Sequence, residues 1–147
     1  MSRISRKLRS RIAAQARYRC GYCQTQEIVS GIPLTVEHIK PIAHGGSDNE
    51  ENIWLSCRLC NETKGTLEKF LDAKTGKVVP LFNPRTQLWG EHFTWDETAV
   101  IIAGKTAVGR ATVAALSLNS ELRVRSRAIW VEAGWHPPSG FDKKDEL

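Results

Sequence analysis

Apolar residues return at every fourth position in Ile4, Leu8 and Ile12. Ala13 and Ala16 extend that stripe and arginines take the other faces, which predicts an amphipathic helix over residues 4–17. The helix should run out before Gly21. Gly31-Ile32-Pro33-Leu34-Thr35-Val36 favours an extended segment, and the turn formers His44-Gly45-Gly46-Ser47-Asp48-Asn49 demand a loop. Ile53-Trp54-Leu55 is short and apolar, as a second strand would be. From Asn61 the pattern turns helical, with Leu67, Phe70 and Leu71 on one side and an end across residues 72–76. The order is therefore strand, loop, strand, helix, an α+β arrangement, with a soft boundary near residue 76.

The second half carries weaker periodicity. Residues 78–82 and 100–103 read as strands, and residues 111–118 and 121–133 as two helices separated near Asn119. Trp89, Trp95, Trp130 and Trp135 read as packing residues rather than as platforms for bases.

Charge changes the picture. The chain of 147 residues has a net charge of +5, but residues 1–20 alone carry +7 with no acid, leaving −2 for the rest. The carriers are Arg3, Arg6, Lys7, Arg9, Arg11, Arg17 and Arg19. A basic arm on a near-neutral body points to a polyanionic partner, against the simpler reading of a solvated helix face. No apolar run approaches the ~20 residues of a membrane span, and no apolar stretch follows the N-terminal charge as a secretory signal would require. Lys144-Asp145-Glu146-Leu147 spells a retention address for the endoplasmic reticulum, read only on chains that enter that compartment, so it is taken as coincidence. The expected location is the cytoplasm.

Cysteine spacing is the sharpest signal. Two pairs, Cys20-Gly21-Tyr22-Cys23 and Cys57-Arg58-Leu59-Cys60, account for all four cysteines. One such pair could be a redox couple; two, in a cytosolic chain, read as one tetrahedral zinc site before they read as disulfides.

Between the pairs lies Val36-Glu37-His38-Ile39-Lys40-Pro41-Ile42, and after them Asn52 and Asn61-Glu62-Thr63-Lys64-Gly65. Hydrolysis of a phosphodiester needs a base to activate water, a cation on the phosphate and help for the leaving oxygen. Imidazole titrates near neutrality and suits the base, whereas carboxylate and amide oxygens suit a hard cation. Glu37 and His38 are neighbours, so in an extended strand they point to opposite faces. Serving one site would need a strand end or local twist.

From Cys20 to Gly65 the chain resembles the HNH endonucleases that carry two zinc knuckles. The likeness rests on both cysteine pairs, the acid-His dipeptide, Pro41, Gly45-Gly46, Asn52, and Asn61 directly after Cys60. It implies a ββα-metal (His-Me finger) core with a four-cysteine zinc site at residues 20–76, a basic N-terminal helix at 1–19, and a mixed α/β extension at 77–147 packed on the core. By resemblance His38 is the general base, and Asn52 braces the loop and orients that base. Glu37 and Asn61 would hold the catalytic cation, Mg2+ or Mn2+. Cys20, Cys23, Cys57 and Cys60 would hold structural Zn2+. Asp is also common at the position of Glu37, and the extra methylene bears on metal distance and preference. Leu81-Phe82-Asn83-Pro84-Arg85 and Gly109-Arg110-Ala111-Thr112-Val113 resemble a C-terminal extension of some small HNH proteins.

Standing alone, Glu37 and His38 read as a buried ion pair or plain strand residues, and Asn52 and Asn61 as turn and helix-cap residues. His44, His92 and His136 read as surface or packing histidines, His44 lying nearest the site. Lys64 meets a phosphate from a helix start or is simply exposed. The combined reading is a metal-dependent endonuclease acting on DNA, with RNA as a further possible substrate, no membrane and an open oligomeric state. Arg9, Arg11, Arg17, Arg19 and Lys64 are the expected phosphate contacts, joined by Arg110, Arg123 and Arg127. The rival is a zinc-dependent nucleic-acid-binding module without turnover.

Overall fold

The computed structural model describes residues 4–139. Arg3 and the Lys144-Asp145-Glu146-Leu147 motif lie outside the described residues. The chain forms two compact units: one runs to Glu68 and takes back Asn83–Thr86, and the other comprises Lys69–Phe82 and the chain from Gln87 onward. No helix among the described residues is long and apolar enough to cross a membrane.

The first unit opens with α1 (Arg6–Gln15), capped by Ser5, whose side chain accepts from the Leu8 amide at 3.0 Å. This cap satisfies an amide that the helix start leaves open. Ile12 and Ala16 are the buried members of the stripe. Arg17 and Tyr18 take left-handed backbone (φ 57° and 58°) and turn the chain into the first cysteine pair. After a one-turn helix, α2 (Glu27–Ser30), strand β1 (Thr35–His38) pairs antiparallel with β2 (Ile53–Ser56), Glu37 opposite Trp54 and His38 opposite Ile53. Helix α3 (Arg58–Lys64) follows, its N-cap being Cys57 rather than Asn61. The element order β1, β2, α3 is the ββα arrangement.

Close packing holds the knuckle to the hairpin. A Cβ on Gly21 would lie 2.5 Å from the Trp54 ring and 2.8 Å from Pro84, so only glycine fits. The returning segment adds Arg85, whose Nε donates to the Ile53 carbonyl at 3.0 Å while its guanidinium lies 4.9 Å from the Trp54 ring centroid.

The second unit departs from the expected helix through Phe70 and Leu71. Gly65 (φ 52°) ends α3 after Lys64, and Lys69–Asp72 form strand β3, paired with β4 (Lys77–Pro80). The turn formers between them close a hairpin: Asp72 accepts from Gly76 N and Thr75 Oγ1, both at 2.8 Å. Helix α4 (Trp89–His92) leads into β5 (Phe93–Trp95), which pairs with β6 (Ile102–Gly104). The expected strand over 100–103 starts late because Asp96 ties the Val100 and Ile101 amides into a turn, 3.2 Å each.

Helix α5 (Ala107–Ala115) begins at its Thr106 cap, ahead of the expected 111. Gly109 is there for contact: a Cβ would stand 2.0 Å from the His92 carbonyl oxygen. Helix α6 (Glu121–Glu132) agrees with expectation, but its arginines do not. Arg127 is 1% exposed, donating to the Val100 and Leu118 carbonyls with its guanidinium 5.6 Å from the Trp95 ring centroid. Arg123 is buried too, and Arg110 grips both oxygens of Asp72 at 2.9 and 3.0 Å. These three are structural, not phosphate contacts. Trp89 stacks on Phe93 and Trp95 meets buried His136 edge-on, as packing residues should, although Trp135 is exposed.

Candidate active site and metal centre

The two knuckles bring four free thiols together. The sulfurs of Cys20, Cys23, Cys57 and Cys60 lie within 4.8 Å of one another, with Cys23 and Cys57 3.6 Å apart. Sulfurs on a tetrahedron around zinc, at ~2.3 Å from the ion, sit about 3.8 Å apart. The donor set therefore fits a zinc ion. Burial pushes the Cys20 and Cys60 thiols well above their ordinary range, while hydrogen bonding with Cys20 lowers that of Cys57. Four thiolates here need a cation to offset the loss of water.

Glu37 and His38 do point to opposite sides of β1. Glu37 is 2% exposed and faces inward, where its Oε2 accepts from the Tyr22 hydroxyl at 2.9 Å and pairs with the Lys64 ammonium at 2.8 Å. Burial first, then the Glu37 charge, push the Tyr22 phenol well above its ordinary range, so it stays a donor. Both partners meet the same carboxylate oxygen, Oε2. Asn61 lies half-buried on α3, three residues before Lys64 and hence on a neighbouring part of the same helix surface.

His38 ends β1, with its side chain 22% exposed, and its Nε2 lies 2.7 Å from Asp48 Oδ1. Asn52 braces the intervening loop. Its Oδ1 accepts from Lys40 N at 2.8 Å, and its Nδ2 donates to the Lys40 and Ser47 carbonyls at 3.0 and 2.8 Å. The loop packs so tightly that a Cβ on Gly46 would overlap the Lys40 oxygen, at 1.8 Å. That contact explains the second glycine of the motif.

The expected phosphate contacts are less open than their charge suggests. Lys64 sits in the last turn of α3, not at its start. It is 3% exposed, and its ammonium also reaches the His38 carbonyl at 3.2 Å, so it is neither a surface lysine nor turned to phosphate. Arg9 donates to the Leu34 carbonyl, Arg11 pairs with Glu50 at 2.9 Å, Arg19 is buried and Arg17 half-buried. Arg6 and Lys7 are exposed on α1, as is Arg11, whereas Arg9, Arg17 and Arg19 are not. His44 is exposed and bonded to Glu68 at 2.6 Å, while His92 bonds Thr106 at 2.7 Å.

Sequence reasoning missed Tyr22 and Asp48. Tyr22 stood as a spacer in its cysteine pair, and Asp48 as one turn former among several. An HNH endonuclease family model matches residues 20–67, spanning both cysteine pairs, β1, β2 and α3. No curated protein and no solved structure matches the chain.

Proposed function

With residues 20–67 an HNH endonuclease domain, we propose that the chain is a metal-dependent endonuclease that hydrolyses phosphodiester bonds in DNA. The observation that carries this is His38: a partly open imidazole at the end of a strand, bonded to a carboxylate and flanked by a loop that Asn52 clamps. An imidazole so held can accept the proton of an attacking water. Glu37 and Asn61 offer hard oxygen donors from β1 and α3 that suit Mg2+ or Mn2+. Such a cation, when bound, polarises the scissile phosphate and stabilises the leaving oxygen. Four thiolates around zinc leave no position for substrate, so that ion holds the knuckles together and does no chemistry. Free thiols suit a reducing compartment, and the cytoplasm is the location we assign.

The pairing of Glu37 with Lys64 and Tyr22 favours a second reading, a zinc-dependent DNA-binding module without turnover, because the carboxylate is already partnered. Supercoiled plasmid decides between them. The nuclease reading expects Mg2+-dependent nicking that falls roughly 10²–10⁴-fold in His38→Ala with DNA affinity kept. Binding without nicking in the wild-type protein, or full nicking in His38→Ala, sinks it.

A further inference from the structure

We propose that Asp48 is the positioning residue that sets the tautomer of His38, leaving Nδ1 as the nitrogen that takes the proton. The inference rests on the nuclease reading for its effect on rate; its effect on the ring does not.

An ionised carboxylate only accepts hydrogen bonds. With Asp48 Oδ1 2.7 Å from His38 Nε2, the hydrogen of the neutral ring belongs on Nε2. The lone pair is then on Nδ1, on the other side of the imidazole. The side chains are 22% and 24% exposed, so water competes only partly for the bond. Asp48 is itself steered by its neighbour, since the Ser47 carbonyl receives the Asn52 amide at 2.8 Å. Asn52 thus reaches the base through the loop: clamp on Ser47, carboxylate of Asp48, ring of His38.

The proton inventory closes on this arrangement. A water O–H bond breaks and its proton goes to Nδ1, while the water oxygen bonds to phosphorus. The bond from phosphorus to the leaving oxygen breaks, and that oxygen takes a proton from solvent. The imidazolium keeps its Nε2 hydrogen on Asp48 and later returns the Nδ1 proton to solvent.

Two variants test this in the zinc-loaded full chain. Asp48→Asn is isosteric, but its amide can donate to Nε2 and so permits the wrong tautomer. Asp48→Glu keeps a carboxylate on a longer arm. The ring nitrogens are read by two-bond proton–nitrogen correlation above the ordinary histidine titration range, with His38 assigned from its loss in His38→Gln. The expected result is an Nε2–H ring in the wild type, an Nδ1–H population in Asp48→Asn, and return towards Nε2–H in Asp48→Glu. Plasmid nicking should show kcat down about 10–100-fold in Asp48→Asn, KM within about twofold, and partial recovery in Asp48→Glu. A wild-type ring protonated at Nδ1, or Asp48→Asn with wild-type ring and rate, overturns the proposal. The expected ring shifts in a protein that never nicks DNA uphold Asp48 as the positioning group and defeat the nuclease reading alone.

Discussion

Lys64 and Glu37 form a buried ion pair between the last turn of α3 and the middle of β1, Nζ 2.8 Å from Oε2. Neither side chain reaches water, at 3% and 2% exposure, and each charge is tolerated only because the other is there. The pair pins the helix of the ββα unit to its hairpin.

Removing one partner should therefore cost far more than an ordinary lysine substitution. Lys64→Met leaves a buried carboxylate uncompensated and should destabilise the protein by about 3–5 kcal/mol. Glu37→Gln combined with Lys64→Met should recover much of that loss. Urea denaturation of the three proteins checks it, and a Lys64→Met variant within the spread of surface substitutions would count against the buried pair.

The thiol cluster makes a prediction about composition. Elemental analysis should find one tightly held zinc per chain. Cys20→Ser or Cys57→Ser should unfold the first unit, because structural zinc contributes roughly 10–16 kcal/mol of apparent binding energy in small domains. A folded, active preparation without zinc would exclude the site.

The oxygen donors predict a second, looser metal. A brief mild chelator should stop nicking without unfolding the protein, and Mg2+ or Mn2+ without zinc should restore it. Asn61→Asp keeps an oxygen ligand and should retain part of the activity, whereas Asn61→Leu should not. Rescue by zinc alone, or full activity in Asn61→Leu, would falsify the separation into two metal roles.

The arm of α1 should act through few of its charges. Arg6 and Lys7 are exposed, whereas Arg9 bonds Leu34 and Arg11 bonds Glu50. Replacing Arg6 and Lys7 by alanine should flatten the log–log salt dependence of DNA binding by about two units. Arg9→Ala should leave the slope nearly unchanged. Filter binding over a salt series separates these outcomes.

Asp72 gives a pH dependence with a definite sign. Hydrogen bonding from Arg110 leads the causes that hold its carboxyl below the ordinary range. Folding stability from this group is present above the ordinary carboxylate range and is lost as pH falls through the lower folded value. Asp72→Asn should therefore flatten the acid limb of the stability profile. Denaturation midpoints at stepwise lower pH, compared with wild type, test the slope.

Much of the metal centre and the ββα order was legible in the sequence because both are local. Cysteine spacing announces four thiols that could share one ion, and the turn formers at 44–49 demand a loop. The β3–β4 hairpin was not legible, since Phe70 and Leu71 suit a helix or a strand and only the backbone of Gly65 decides. Nor does sequence alone show that Gly109 marks a close approach to the His92 carbonyl. The partners of His38 and Glu37 were hidden for another reason. Asp48 and Tyr22 meet them across 10 and 15 residues, and no local pattern announces such a meeting.

The inward arginines of the second unit have an electrical consequence. With Arg123 and Arg127 buried and Arg110 neutralised on Asp72, its outward basic groups among the described residues are Lys69, Lys74, Lys77, Lys105 and Arg125. Against them stand Glu91, Asp96, Glu97, Glu121 and Glu132, an equal number. The outward charges therefore balance, and the formal +2 of this unit's described residues sits inside it, on Arg123 and Arg127. A phosphate brought against this unit would meet no surplus of outward basic groups, whereas α1 presents one.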